Sequence, residues 1–525
     1  MNILLIYPKM PSTFWTMDHL VELIGKKASY PPLGLLTVAA MLPKAWNKKL
    51  VDLNIGDELT DEALEWADYA FVGAMNVQVK SAHQVIERCN AAGLKVVAGG
   101  PLFTHEWEAF PTVDHFVLNE AEVTLPRFLS DLAAGTPERV YATPEFANVH
   151  ETPLPLWELA DMDKYAYMIV QYSRGCPYMC DFCDVTALFG RKPRVKTPEQ
   201  ILAELDALGD LNRFGMVLFA DDNLIGNRKH LRESLLPALI DWRARNNPPV
   251  GFSTQVTINL SDDDELMKLM LEAGFRHIFS GIETPDEEAL AASQKRQNLK
   301  RDLLANVRKL HREGFQVTAG FIVGFDADTP ASFQRMIDFI QESGIVIATI
   351  NLLKAPPGTD LYKKMKDAGR LIEPFDFDEN SSNIVPVMDP ATLHAGFEFV
   401  LRHVYSPAYV FARAKTFMEA YPGPKVKYPL KRKPSLSAVG VLARIVWRLG
   451  IKSPDRKLFW GLFFWALRHR RRQIEFPLFF AALAYQFKRM YQRYDAQAEA
   501  KRMEKALVEM PVAPVVEAKE LAQSA

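Results

Sequence analysis

The chain has 525 residues, more than one hydrophobic core accommodates, so two to four domains are expected. Hydrophobic residues make up 48% and charged residues 24%, the composition of a folded protein, and a formal net charge of −2 gives no reason to expect a nucleic-acid partner. Four cysteines are too few for a disulfide framework, "MNILLIYPKM" lacks the basic region and cleavage site of a signal peptide, and no apolar run reaches the roughly 18–20 residues that span a bilayer, so a cytoplasmic, reducing environment is expected.

Residues 1–135 alternate short apolar runs with helical patterns. Strands are expected at 2–8, 69–75, 95–100 and 115–120, and helices at 31–43 and 81–92. Near-continuous apolar strands alternating with helices indicate an α/β, doubly wound, Rossmann-like domain with a parallel sheet. Such sheets bind ligands beyond the carboxyl ends of their strands, where Pro8, Gly73, Gly99, Gly100 and Glu120 fall. Cys89 lies within a helical pattern and reads as a packed, structural thiol. Residues 136–165 are proline-rich, with little periodicity, and read as a linker anchored by "PLPLWEL".

A second α/β series spans 166–375, with strands expected at 167–173, 215–221, 250–257, 276–282, 316–323 and 345–352. Six βα units suggest an incomplete (β/α)6 barrel, whose working groups sit on loops after the strands. Just after the first strand, "QYSRGCPYMCDFCDV" (171–185) spaces Cys176, Cys180 and Cys183 as C-x3-C-x2-C. Three thiolates on a tight loop suit a [4Fe–4S] cubane that keeps one iron free of protein ligands. A zinc site completed by a distant histidine is the alternative. Gly175 and Pro177 bracket the first thiol, and Arg174 adds positive charge beside an anionic cluster. After the second strand come Asp221, Asp222 and Asn223, readable as cofactor contacts or helix caps. Thr254, Gln255 and Thr257 follow near the third, with no role assigned.

From 376 to 495 the pattern is helical, and residues 425–493 hold 17 Lys or Arg against two acids, Asp455 and Glu475. Apolar stretches "LFWGLFFWAL" (458–467) and "FPLFFAALAYQF" (476–487) interrupt the basic runs. They are too short to span a bilayer and read either as helices in the membrane interface or as a cap on the barrel with a solvated basic face. Residues 496–525 read as a fraying helix and a disordered tail.

The cysteine loop, with Phe182 before the last thiol, resembles the radical S-adenosylmethionine superfamily. That resemblance implies that Cys176, Cys180 and Cys183 ligate the cluster and that S-adenosylmethionine chelates the open iron. One-electron cleavage of the sulfonium would then give a 5′-deoxyadenosyl radical. It further implies that Glu283 in "FSGIETP" and Gly320, Ile322 and Gly324 in "AGFIVGF" line the cofactor's seat with Phe182. The acid expected three places after the second glycine is missing; Ala327 stands there, next to Asp326.

A doubly wound domain ahead of such a barrel resembles the cobalamin-binding subfamily, which implies cobalamin near Gly99, Gly100, Pro101 and Glu120, although a G-G-P stretch also reads as a plain turn. The D-x-H-x-x-G motif that supplies a histidine to cobalt is absent, since His19, His83, His105 and His115 all lie outside that pattern. The overall layout is similar to the cobalamin-dependent radical methylases, and within them to the hopanoid C-2 methylases. The resemblance implies methyl transfer to an unactivated carbon of a polycyclic lipid, consuming two molecules of S-adenosylmethionine, with an electron donor such as flavodoxin or ferredoxin. It also implies a place on the inner face of the cytoplasmic membrane. Two other readings stay open: a related enzyme acting on a tetrapyrrole or natural product, and a non-enzymatic iron–sulfur protein at the membrane.

Overall fold

The computed structural model describes residues 1–13, 16–373, 381–423 and 436–509. The first sheet comprises β1 (Asn2–Tyr7), β2 (Asn47–Asp52), β3 (Tyr69–Gly73), β4 (Lys95–Gly99), β5 (His115–Val117) and β6 (Val140–Tyr141), all parallel in the order β2-β1-β3-β4-β5-β6. Its strands are apolar throughout because both faces are covered. Leu4, Ile6, Val72 and Val96 enter one core, while Ile3, Leu5, Phe71 and Val97 enter another on the opposite face. Cys89 is fully buried in the first of these cores. The strand order reverses between β1 and β3, which opens a crevice at their carboxyl ends.

Two of these strands fall outside the sequence expectation. β2 is an edge strand that begins Asn-Lys-Lys, with Lys49 lying 4.0 Å over the Trp66 ring, so it carries little of the apolar signal. β6 lies in the stretch expected as a linker, where Tyr141 is buried and donates to Asp131 at 2.9 Å. The rest of that stretch is also tied down. Ala28 bridges to Tyr165, and the Tyr165 hydroxyl donates to buried Asp52 at 2.6 Å.

The second sheet runs β14-β13-β12-β11-β10-β7 and is again parallel. Its strands are β7 (Met168–Val170), β10 (Met216–Phe219), β11 (Gly251–Gln255), β12 (Phe275–Glu283), β13 (Gln316–Val323) and β14 (Ala348–Leu352). β7 and β14 do not pair with each other, so the barrel is incomplete, as the six expected βα units imply. A short antiparallel pair, β8 (Ser173–Arg174) with β9 (Arg194–Val195), brackets the cysteine loop.

The helices Pro390–Val404 and Pro407–Ala420 cover the outside of the barrel. Buried Arg413 donates to Gln341 at 2.8 Å and to the Val346 carbonyl, and His311 meets Phe417 edge-on at 5.0 Å. The helix Glu475–Glu509 continues to the first domain, where Gln486 accepts the Leu20 N–H at 3.0 Å. One hydrophobic core runs from Leu20 and Leu36 through Phe219 and Phe321 to Phe487. Of residues 496–525, expected as a fraying helix and a disordered tail, 496–509 continue the helix Glu475–Glu509 and 510–525 lie outside the described residues. No described helix is long and apolar enough to cross a membrane.

Candidate active site

The cysteine loop leaves the carboxyl end of β7 and is gripped by its own backbone and by the next strand's end. Gly175 adopts φ +93°, and a Cβ there would lie 2.9 Å from Gly190 O and 3.0 Å from Phe189 O, so the β8–β9 bracket closes only on glycine. Asp221 accepts from the Ser173 N–H and, at 2.5 Å, from the Ser173 hydroxyl, while Asp222 accepts the Gly175 N–H at 2.8 Å. Asn223 accepts the Thr257 N–H at 3.2 Å and makes no capping bond to the turn that follows it. The Thr257 hydroxyl donates to Asn259, which donates to the Tyr178 hydroxyl at 2.8 Å. Asp221 and Asp222 therefore anchor the cysteine loop, and Asn223 ties the end of β10 to Thr257 after β11.

Cys176, Cys180 and Cys183 are all partly exposed on this loop. Burial raises the Cys176 thiol and pushes Cys183 up to about 12, with the Lys295 ammonium acting in the opposite direction. Lys295 is buried 2.6 Å from Glu283 Oε1 and 5.8 Å from the Phe182 ring centre, and Gln297 Nε2 lies 3.4 Å from Cys180 Sγ. Neither Lys295 nor Gln297 sits in a motif that marks it. They belong to "SQKRQN" (293–298), and only the chain's return after β12 brings them beside the thiols. Among the described residues, no three His, Cys, Asp or Glu side chains gather around a single-ion position. A cubane needs no such gathering, because it takes its three thiolates on three separate irons.

The side chains expected around S-adenosylmethionine come together at the ends of β12 and β13. Phe182 and Ile322 share a small apolar cluster with Phe325 and Leu353, and the Phe182 and Phe325 rings meet edge-on at 6.3 Å. Glu283 ends β12 at φ +64°, an unusual backbone for a glutamate and one that tends to occur where function holds it. A Cβ on Gly320 would lie 3.0 Å from the Phe279 ring. Gly324 sits at φ +104°, and its N–H and that of Phe325 donate to Asp328 at 2.7 and 3.0 Å. The acid serving this turn is thus Asp328; Asp326 pairs with Arg370 at 2.7 Å. Thr254 Oγ1, Ser280 Oγ, Asp221 Oδ2, Asn223 Nδ2 and Gln297 Oε1 are buried without partners. Buried polar atoms are ordinarily satisfied, so orphans beside these strand ends fit a polar ligand such as S-adenosylmethionine.

On the first domain, Gly99 and Gly100 are required by the sheet itself. A Cβ would lie 2.7 Å from Val117 O at Gly99 and 2.9 Å from Ala74 O at Gly100, where φ is +100°. Pro101 opens the helix Pro101–Glu106. Glu120, expected beside cobalamin, accepts from Arg174 and Arg194 of the barrel, each at 2.8 Å, and from the Ala147 N–H at 2.9 Å. Arg174 also pairs with Glu122 at 2.7 Å. Two arginines flanking the cysteine loop are thereby clamped to the first domain.

Of the four histidines noted there, His83 stacks on Phe110 at 4.2 Å, His115 bonds the Glu138 carbonyl at 2.7 Å, and His19 meets Tyr485 edge-on at 6.3 Å. His105 differs, with its Nε2 buried and unpartnered; burial lowers its pKa, while Asp184, next to Cys183, raises it across the domain junction. Asn76 Oδ1 and Glu106 Oε1 are also buried without partners. The crevice and these unsatisfied atoms are compatible with a large polar cofactor between the domains.

Comparison with known proteins matches residues 26–129 to the B12 binding domain, 170–340 to the radical SAM superfamily and 359–500 to a domain of unknown function. The chain is 37% identical over 475 residues to an uncharacterized methyltransferase of Synechocystis sp., covering 89% of this chain and 88% of that protein. It is 33% identical over 478 residues to the hopanoid C-2 methylase of Rhodopseudomonas palustris, covering 87% and 88%. The fold is similar to that of the cobalamin-dependent radical enzyme OxsB, solved with aqua-cobalamin bound, with a TM-score of 0.59 at 15% identity over 95% of this chain and 80% of that one. With a B12 domain clamped onto a radical barrel whose open end carries three thiols, the chain belongs to the cobalamin-dependent radical S-adenosylmethionine methyltransferases.

Proposed function

We propose that this methyltransferase places a methyl group on an unactivated ring carbon of a polycyclic lipid, with C-2 of a hopanoid as the position. The observation that carries the reading is the 33% identity to hopanoid C-2 methylase, which extends over 87% of the chain and so takes in more than the two cofactor domains. When bound, the cluster and S-adenosylmethionine supply the radical that removes a hydrogen, and cobalamin supplies the methyl group.

The chain's own residues do the positioning. Cys176, Cys180 and Cys183 hold the cluster, and Phe182, Glu283, Gly320, Ile322 and Gly324 shape the seat of S-adenosylmethionine. Gly99, Gly100 and Pro101 form the turn that borders cobalamin. The Arg174 clamp keeps the two domains in register, because a reacting carbon must stay aligned with both cofactors while water is excluded. Electrons come from a flavodoxin or ferredoxin. The enzyme works peripherally on the cytoplasmic face of the membrane, since lifting a polycyclic hydrocarbon fully into water costs several kcal/mol at ~25 cal/mol per Å².

The test is lipid analysis of a hopanoid-producing strain with and without this chain, together with purified enzyme given methyl-labelled S-adenosylmethionine. Hopanoid heavier by one methylene, labelled at C-2, is the expected product. Unchanged hopanoid alongside a methylated tetrapyrrole would replace this substrate with the other one.

A further inference from the structure

The helices Leu436–Ile445, Val446–Lys452 and Arg456–His469 form a hairpin that turns at Ser453, Pro454 and Asp455. Its two arms are fixed to each other. Trp460 Nε1 donates to Gly450 O at 2.8 Å, and a Cβ on Gly450 would lie 3.0 Å from the Phe459 ring. The inner side is ordinary core, with Leu449, Phe459, Leu462 and Ala466 buried. The outer side is not. Trp447 is 52% and Phe464 58% exposed, and Ile451, Leu458 and Leu467 are exposed on the same hairpin. Single exposed apolar side chains are unremarkable on a soluble surface; five on one short hairpin are more than that.

Charge narrows the occupant. Residues 439–472 hold nine Lys or Arg and one acid, Asp455, which Lys488 pairs at 2.6 Å. At the hairpin's turn a cavity of about 420 Å³ is walled by three cations, Arg448, Lys452 and Arg489, and by the neutralised Lys488–Asp455 pair, over an apolar floor that includes Leu449 and Phe459. Such a cavity matches an anionic headgroup continuing into acyl chain. A second copy of the chain would bring like charges together. Nucleic acid would meet the cations and leave Ile451, Leu458 and Leu467 without a reason to be exposed. An anionic bilayer satisfies both features, with cations toward phosphate and rings and aliphatic side chains at the acyl boundary.

We propose that this hairpin is a docking surface for an anionic lipid bilayer, with a lipid phosphate seated in the cavity at its turn. The hairpin is tied to the first domain through Arg444, which donates to Leu23 O at 2.9 Å, and through Arg448, 3.9 Å from Glu22. A docked membrane therefore lies beside the first helix after β1. That gives the surface its purpose only if the substrate is a membrane lipid, so this purpose rests on the function proposed above.

The experiment is co-sedimentation of the full-length holoenzyme with vesicles of phosphatidylglycerol and phosphatidylcholine, and with phosphatidylcholine alone. The wild type sediments with the anionic vesicles, and high salt releases it. Trp447→Ser with Phe464→Ser, and separately Lys452→Glu with Lys457→Glu, each weaken partitioning about tenfold or more while circular dichroism and methylation of detergent-dispersed substrate stay as in the wild type. Vesicle binding without hopanoid methylation would sink the substrate and keep the surface. Wild-type protein left in the supernatant, variants that bind as well as wild type, or a dimer in sedimentation velocity that Trp447→Ser with Phe464→Ser abolishes would each overturn the docking surface.

Discussion

Arg174 stands two residues before Cys176 and is a point at which the two cofactor domains grip each other. Glu120 and Glu122 have side chains only 2% and 8% exposed, and Arg174 bonds both. Burial raises the Glu122 carboxyl, but hydrogen bonds and charge from Arg174 outweigh it and hold the group down to about 2. A depressed carboxyl contributes stability above its ordinary pKa of 4.5 and loses it as pH falls toward about 2. Arg174→Met leaves buried Glu122 without its ion-pair partner, while Glu120 keeps Arg194, and is expected to cost about 3–5 kcal/mol at neutral pH. Melting temperatures measured from pH 7 downward should show that deficit shrinking below pH 4.5, where the wild type begins to lose the same contribution. A pH-independent deficit would mean that Arg174 acts through packing alone. The cysteines make a simpler case: Cys180→Ala is expected to abolish the iron and sulfide content of anaerobically reconstituted protein, read by metal analysis and electron paramagnetic resonance.

At the scale of elements, the cysteine loop is shaped by the acids after β10 as much as by its own glycine. Asp222→Ala frees the Gly175 N–H, whereas Asp222→Asn keeps an acceptor in place. Cluster retention after gel filtration should fall for the alanine variant and stay near wild type for asparagine; equal loss in both would make charge, not loop geometry, the cause. Gly175→Ala should fail to hold the cluster, because φ +93° costs a side-chain-bearing residue about 1–2 kcal/mol and the methyl would meet Gly190 O at 2.9 Å. The strands that carry these loops were legible. The strand expected at 316–323 coincides with β13, and the other expected barrel strands overlap their observed counterparts, because buried parallel strands are apolar runs. β2 and β6 were not legible, one masked by lysines at a sheet edge and the other only two residues long. Gly175 and the acids at 221 and 222 could be noted from sequence, but the bonds between them join residues 47 or more positions apart.

The whole molecule is closed by contacts that join its ends. The stretch between the domains is a strap held by Tyr165 to Asp52, whose carboxyl burial raises and that hydroxyl lowers. Tyr165→Phe leaves Asp52 buried with one donor fewer, a cost of about 1–3 kcal/mol. Hydrogen exchange should quicken at residues 28 and 164–166 in this variant and stay unchanged in the far barrel strand β14; uniform quickening would show that the strap supports the entire fold rather than the junction. The last long helix belongs to the same closure, since Gln486 caps Leu20 and Phe487 sits in the shared core.

The sequence alone determined the cofactor chemistry, because a three-thiol loop with its spacing is a local motif and the apolar runs around it are set by burial. Only the tertiary structure decided which side chains serve that chemistry. Gln297 reaches the Cys180 thiol, Lys295 pairs with Glu283 and Glu120 with Arg174, because a side chain's partner is fixed by where the chain returns in space, and nothing in linear spacing records that distance.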